Sequence, residues 1–364
     1  MQNIRAEILL STSDVRDDVP FFTDVLGMRM EEIFPADDPR EAVFSGHGLR
    51  LRLRKGADTS PGVLRILADD PILVADGHTE LIAPNGTRVE IAQLAPPVEM
   101  PATQHKFVVR RLADNAPWIV GRAGMQYRDL IPDRLGGSII ASHIRIPEAG
   151  PVPDSVHFHS VGFQLIFCYK GWVDLVYEDQ GAPFRLHAGN CVIQPPEIRH
   201  RVLASGDNLE VIEIGVPAEH ITTIDHDMAL PNQSLNPERR WDGQRFVHHT
   251  ADGADWSEFR VPGFVSRDTL IAQNTQGVAG VHVVRASGQN STWVSHDCDI
   301  HFSFVMQGEM TLEGEGQADH RLQAGDAFVI PPGMKTRYSE PSEDIEWLEV
   351  TLPSTFKTVE VPCP

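Results

Sequence analysis

Short runs of alternating apolar and polar residues, broken by glycine or proline every few positions, fill most of this chain. SIIASHIRI, IHFSFVMQG and EMTLEGE approach the two-residue period of half-buried strands, and FQLIFCYKG and WVDLVYE are short apolar-rich runs of strand length. The pattern predicts a mainly β protein. The first ninety-five residues differ. There AEILLSTSD reads as a strand. VRDDVPFFTDVLGM reads as an amphipathic helix with an apolar face of Val19, Phe21, Phe22, Val25 and Leu26 and a stop at Gly27. AVFSGHGLRLRLRKG then reads as a hairpin, LRILADD as a further extended run, and TELIAPNGTRVEIAQL as a second hairpin turning at Asn85-Gly86.

Comparison of the chain with itself exposes an internal repeat. LHAGNCVIQPPEIRHR (186–201) matches LQAGDAFVIPPGMKTR (322–337) without a gap, and FQLIFCYKGWVDLVYE parallels IHFSFVMQGEMTLEGE when Gly171 is set on Gly308. Upstream, Arg128-Asp129 falls on Arg267-Asp268, and His143 falls on His282. A β-domain is therefore duplicated. The reading divides the chain into a small α+β domain (1–95), a proline-rich linker (96–104), a first β-barrel (105–217), a polar connector expected to pack across the paired barrels (218–265) and a second barrel (266–364). The recurrent Arg-Asp pairs are expected to form buried salt bridges at each barrel entrance.

Length and charge narrow the possibilities. With 364 residues the chain needs more than one core. A formal charge of −20 disfavours nucleic acid and anionic membranes as partners. No apolar run approaches membrane-spanning length, and MQNIRAEILLSTSD lacks the basic start and apolar core of a signal peptide. Cys168, Cys191, Cys298 and Cys363 lie far apart, which fits a reduced, cytoplasmic protein. No G-x-S-x-G elbow, Walker loop or dinucleotide fingerprint is present, so the common hydrolase, kinase and dehydrogenase readings fall away.

The chemistry concentrates in two stretches. HFHSVGFQLIFCYKG carries His157 and His159, which share one face of a strand, followed by Gln164 on the next run; GNCVIQPPEIRH ends at His200 after a Pro-Pro turn. Three imidazoles and an amide oxygen make a ligand set for one divalent transition metal per chain. The competing reading is a polar core that retains its histidines without a metal. His143 and Glu197 are the general-base candidates. Tyr169, Arg199, His282, His296 and His301 are candidates to line a substrate pocket. His187 and His248-His249 are expected to face solvent, and Cys168 and Cys191 to act as small apolar residues.

These motifs resemble those of the cupin family, whose barrels carry roughly G-x5-H-x-H-x3–4-E-x6-G and G-x5-P-x-G-x2-H. His157, His159, Gly171, Gly189, Pro195 and His200 fall on motif positions, while Gln164 stands where the family usually has Glu and Glu197 where it has Gly. The resemblance, over about residues 120–360, implies two tandem cupin (RmlC-like jelly-roll) barrels. In the second barrel Val294, His296, His301 and Thr336 occupy the four ligand positions, a set too poor to hold an ion tightly. The N-terminal segment is similar to the vicinal-oxygen-chelate (glyoxalase/bleomycin-resistance) fold. Glu7 sits where that family often has a ligand histidine and Glu90 on its terminal glutamate, and with no histidine ligand the expected role is structural or dimer-forming.

The cupin resemblance implies a metalloenzyme acting on a small, oxygen-rich molecule in the first barrel. With Fe(II), the favoured ion, this is a dioxygenase. With Ni(II), Zn(II) or Mn(II) it is an isomerase, lyase or hydrolase acting on a keto, hydroxy or sugar acid. A non-catalytic ligand-binding or sensor protein is the alternative of a different class. A homodimer is expected.

Overall fold

In the computed structural model the chain is described over residues 4–20, 22–23, 28–46, 49–57, 63–73, 77–82, 88–288 and 291–364. It is mainly β, as the alternation predicts, and divides into two compact units. One comprises residues 1–99 with 155–160 and 219–229; the other comprises 100–154, 161–218 and 230–364.

In the first unit, strand Ile4–Thr12 leads into helix Val15–Pro20, and strands Arg29–Phe34, Glu41–Gly46 and Leu49–Lys55 follow. Ile4–Thr12 runs parallel to Leu49–Lys55, which forms a hairpin with Glu41–Gly46. The alternation in LRLRLRK explains the two faces of this sheet. Leu51 and Leu53 join Val15, Ala42 and Phe44 in an apolar core with Val19 and Phe22 against it, whereas Arg50, Arg52 and Arg54 bind Glu7, Glu32 and Glu41 on the other face. Glu80–Ile82 pairs antiparallel with Arg88–Gln93, so the second hairpin forms. Its Asn85-Gly86 turn lies outside the described residues, as do Phe21, Val25, Leu26 and Gly27 of the expected helix. At the opposite edge Arg29–Phe34 pairs with Thr222–Ile224, and Thr222–Ile224 pairs with His157–His159. The strand bearing two of the candidate ligands therefore belongs to this sheet.

The second unit contains the duplicated architecture. One seven-stranded sheet contains Phe163–Lys170, Leu209–Val216 and Ile140–Ile146; its counterpart contains Ile300–Gln307, Glu346–Leu352 and Gly280–Ala286. Alternation decides which core each residue joins. Phe163, Leu165, Phe167, Ile212 and Ile214 share one core with Phe302, Phe304, Leu348 and Val350, which joins the two sheets. Their neighbours in sequence point the other way, Cys168, Leu209 and Val211 into the first barrel and Val305 and Trp347 into the second.

Each barrel takes a short strand from outside its own segment. Val108–Arg110, at the start of the first barrel's segment, pairs with Ala327–Val329 of the second, and Val247–His249 of the connector pairs with Cys191–Ile193 of the first. Arg128 donates to the Gly325 carbonyl at 2.7 Å and Arg267 donates to the Gly189 carbonyl at 3.1 Å. These glycines occupy equivalent positions in the repeat. The expected Arg-Asp salt bridges do not form. Asp129 instead accepts from the Ile131 amide and from Arg134, and Asp268 accepts from the Leu270 amide, each closing a turn.

Candidate metal centre

Among the described residues one group of potential ligands converges. His157, His159 and His200 are all buried, and their ligand nitrogens lie within 4.8 Å of one another. Strand alternation puts His157 and His159 on one face, with ring centroids 5.1 Å apart and planes nearly perpendicular. Each Nδ1 is already engaged: His157 with the Ser155 carbonyl at 2.7 Å, His200 with the Ile198 carbonyl at 2.9 Å and His159 with the Thr222 hydroxyl at 2.9 Å. A carbonyl can only accept, so His157 and His200 carry their proton on Nδ1, and the nitrogen each would give to an ion is Nε2. Burial pushes the His200 pKa down to about 4, which keeps the ring neutral and its lone pair present. Tyr177 stacks on His200 at 5.5 Å and its hydroxyl accepts from Gln194.

Gln164 is fully buried on the strand Phe163–Lys170, between two residues of the shared core, so its side chain faces the first barrel's interior. Its Nε2 donates to Glu213 Oε1 at 2.7 Å, while its Oε1 is buried with no hydrogen-bond partner. An orphaned buried acceptor costs about 1–3 kcal/mol, a penalty that a cation at this oxygen would remove. Three buried imidazoles and one unpaired amide oxygen therefore fit a divalent transition metal.

Other predicted site residues lie elsewhere. Ala141 lies in the shared core two positions before His143, and the Ile212 that His143 pairs with lies there too, so His143 faces away from the first barrel's interior. It accepts from Arg128 at Nδ1 (3.0 Å), donates from Nε2 to Glu210 (2.7 Å), and packs against Trp118, Tyr169 and Phe304. Burial lowers its pKa, although Glu210 opposes the shift. Tyr169 shares this environment, with Phe304 at 5.0 Å. Neither residue joins the histidine cluster. Glu197 is exposed in the turn before His200 with φ +64°, the left-handed conformation that explains the family's glycine here; Gly333, its counterpart, has φ +81°. Arg199 donates to the Glu197 carbonyl beside it. His187 and His248 are exposed as expected, but His249 is half-buried and accepts from Arg267 at 3.1 Å.

The register also corrects the pairing of His143 with His282. Ser142 faces Glu213 and His282 faces Glu349, so Ser142 is the structural counterpart of His282. A one-residue slip exchanges sheet faces, and His282 points into its barrel.

The second barrel's ligand positions hold a chain of hydrogen bonds. The Cys298 amide donates to His296 Nδ1 at 3.2 Å, which leaves the proton on Nε2 for His301 Nδ1 at 3.0 Å. His301 Nε2 then donates to Glu349 at 2.8 Å, and Arg260 clamps both oxygens of the same carboxylate at 2.6 Å. Every imidazole nitrogen is thus committed within the protein. Burial would raise the Glu349 pKa, but Arg260 and His301 hold it well below the usual carboxylate range. His296 also borders a cavity of about 490 Å³ lined by Asp297, Gly333 and Lys357.

Sequence reasoning missed Glu213, Glu349, Arg260 and His220, whose ring lies 5.4 Å from His159. The repeat contained a signal for the first two, since LEVIEIGV aligns with IEWLEVTL and matches both acids.

Residues 281–351 match the family model of the cupin domain. No curated protein matches the chain. Among solved structures, a variant of salicylate 1,2-dioxygenase from Pseudoaminobacter salicylatoxidans in complex with gentisate superposes with a TM-score of 0.53 at 15% identity, covering 72% of this chain and 87% of that one. A variant of oxalate decarboxylase from Bacillus subtilis gives 0.51 at 11% identity, covering 74% and 82%, and the E. coli protein Ylba gives 0.50 at 11%, covering 70% and 94%. The fold is that of two tandem cupin barrels.

Proposed function

We propose that this chain is a metal-dependent enzyme whose reaction takes place at His157, His159, Gln164 and His200, and that it is a dioxygenase acting on a small, oxygen-rich acid. The observation that carries the reading is the donor set: three buried imidazoles anchored through Nδ1, and a buried amide oxygen left unpaired. One Fe(II) held there would supply a centre at which oxygen and a chelating substrate meet. The protein's part is to keep the His200 ring neutral, fix the three rings' orientation through Ser155, Ile198 and Thr222, and exclude water by burial. Two of the structural neighbours are a salicylate dioxygenase holding gentisate and an oxalate decarboxylase; all three compounds are small carboxylic acids, which supports this substrate class. The oxalate decarboxylase neighbour and the neutral Gln164 ligand favour a second reading, non-redox metal chemistry with manganese, nickel or zinc.

For the N-terminal unit we propose a structural, vicinal-oxygen-chelate-like module. Its strand order, with the first strand parallel to Leu49–Lys55, supports this. Burial would raise the Glu7 pKa, but Arg52 and Arg50 bind the carboxylate and lower it, and Glu90 is bound by Arg88 at 2.5 Å. Both acids are thus committed to arginines.

The test is elemental analysis of purified wild type, His157→Ala and His296→Ala, followed by oxygen consumption with hydroxylated aromatic acids. One equivalent of iron, lost only in His157→Ala, with oxygen uptake supports the dioxygenase. Manganese, nickel or zinc without oxygen uptake moves the reading to the second class. No metal after reconstitution overturns both.

A further inference from the structure

The same contact recurs in both barrels. Gln164 Nε2 donates to Glu213 at 2.7 Å, and His301 Nε2 donates to Glu349 at 2.8 Å. The ladders make these positions equivalent. Ile166 faces Glu213 as Ser303 faces Glu349, and Gln164 faces Gly215 as His301 faces Thr351. Each barrel thus sets an acid behind the third ligand position and fills that position with an N–H donor. This accounts for the departure from the family's glutamate. A carboxylate at 164 would meet the Glu213 carboxylate at hydrogen-bonding distance, where two like charges cannot both stay ionised.

We propose that Glu213 is a positioning residue for the metal site. Its carboxylate fixes which end of the Gln164 amide turns toward the ion, and its charge dictates that residue 164 be a neutral donor. A flipped amide would press Oε1 against Glu213 Oε1, two acceptors 2.7 Å apart. The held orientation instead delivers Oε1, the atom left without a partner, to the ligand position. The proposal rests on the metal reading above.

The test titrates the full-length chain, stripped of metal, with Co(II), reading affinity and the visible d–d spectrum. The variants are Glu213→Gln, Gln164→Glu and the double exchange, with circular dichroism confirming the fold. Glu213→Gln is expected to weaken Co(II) binding about 10–100-fold, the range for loss of a group that orients a metal ligand. The exchange restores an acceptor at 164 facing a donor at 213. Gln164→Glu is therefore expected to help binding about tenfold more in the Glu213→Gln background than in wild type. Unchanged affinity in Glu213→Gln, or additive effects, overturns the positioning role while the metal site stands. Absence of Co(II) binding by wild type, or binding unaffected by His157→Ala, overturns the metal reading and this proposal with it.

Discussion

His296 gives the sharpest test of the electrostatics of the second barrel. Its Nδ1 accepts from the Cys298 amide, its Nε2 is committed to His301, and Arg260 lies beyond, so a second proton on the ring would break a hydrogen bond and add a buried charge. Burial, with His301 and Arg260 adding to it, pushes the pKa down to about 3. An unfolded histidine titrates near 6.5. Because the folded value is the lower one, the unfolded chain binds the extra proton between these two limits, and stability falls as the pH drops through that window. At about 1.4 kcal/mol per pH unit and proton, acidification from pH 6.5 to 4.5 removes roughly 2–3 kcal/mol through this residue alone. His296→Gln isolates the effect, since glutamine keeps an acceptor for Cys298 and a donor for His301 but does not titrate. The assay is urea unfolding at pH 7.5 and 4.5, followed by tryptophan fluorescence, with Trp347 buried in the same barrel core. Wild type should lose about 2–3 kcal/mol more than the variant between the two pH values. Equal losses would show that the folded ring takes up its proton as readily as the unfolded one, which would refute the reasoning.

Glu349→Ala strips the buried carboxylate from the half-buried Arg260 guanidinium and should cost about 3 kcal/mol by denaturant titration, whereas Glu349→Ala with Arg260→Leu should recover most of that loss. Glu197→Gly relieves a left-handed residue and should leave metal binding and turnover unchanged, with stability equal or up to about 1 kcal/mol higher by thermal unfolding. Lost turnover in Glu197→Gly would return Glu197 to the general-base role. His143→Gln should keep stoichiometric metal and comparable turnover, because His143 faces the core shared by the two barrels; loss of turnover with metal retained would contradict that placement.

The histidine cluster was legible because its spacing is a local matter. Two histidines one residue apart on a strand share a face wherever the strand lies, and the Pro-Pro turn marks where the last one enters. The second barrel's loss of ligands was legible for the same reason. His143 was misplaced because both it and His282 occur in isoleucine- and valine-rich strands of similar sequence. A gapless match cannot see the one-residue shift that sends one ring to the shared core and the other into the barrel. Glu213 and Arg260 escaped notice because their partners lie 49 and 89 residues away.

By itself the sequence determined the strand-rich class, the duplication and which three histidines converge, since periodicity, turns and short spacings are properties of neighbouring residues. Tertiary structure alone decided three things. The strand of His157 and His159 extends the N-terminal sheet through Thr222–Ile224. Each barrel borrows a short strand from beyond its own boundaries. The residue at the third ligand position answers to an acid on the neighbouring strand. All three are pairings across the chain, fixed by ladder register and by the requirement that buried donors meet acceptors, and neither condition is written in any single stretch of sequence.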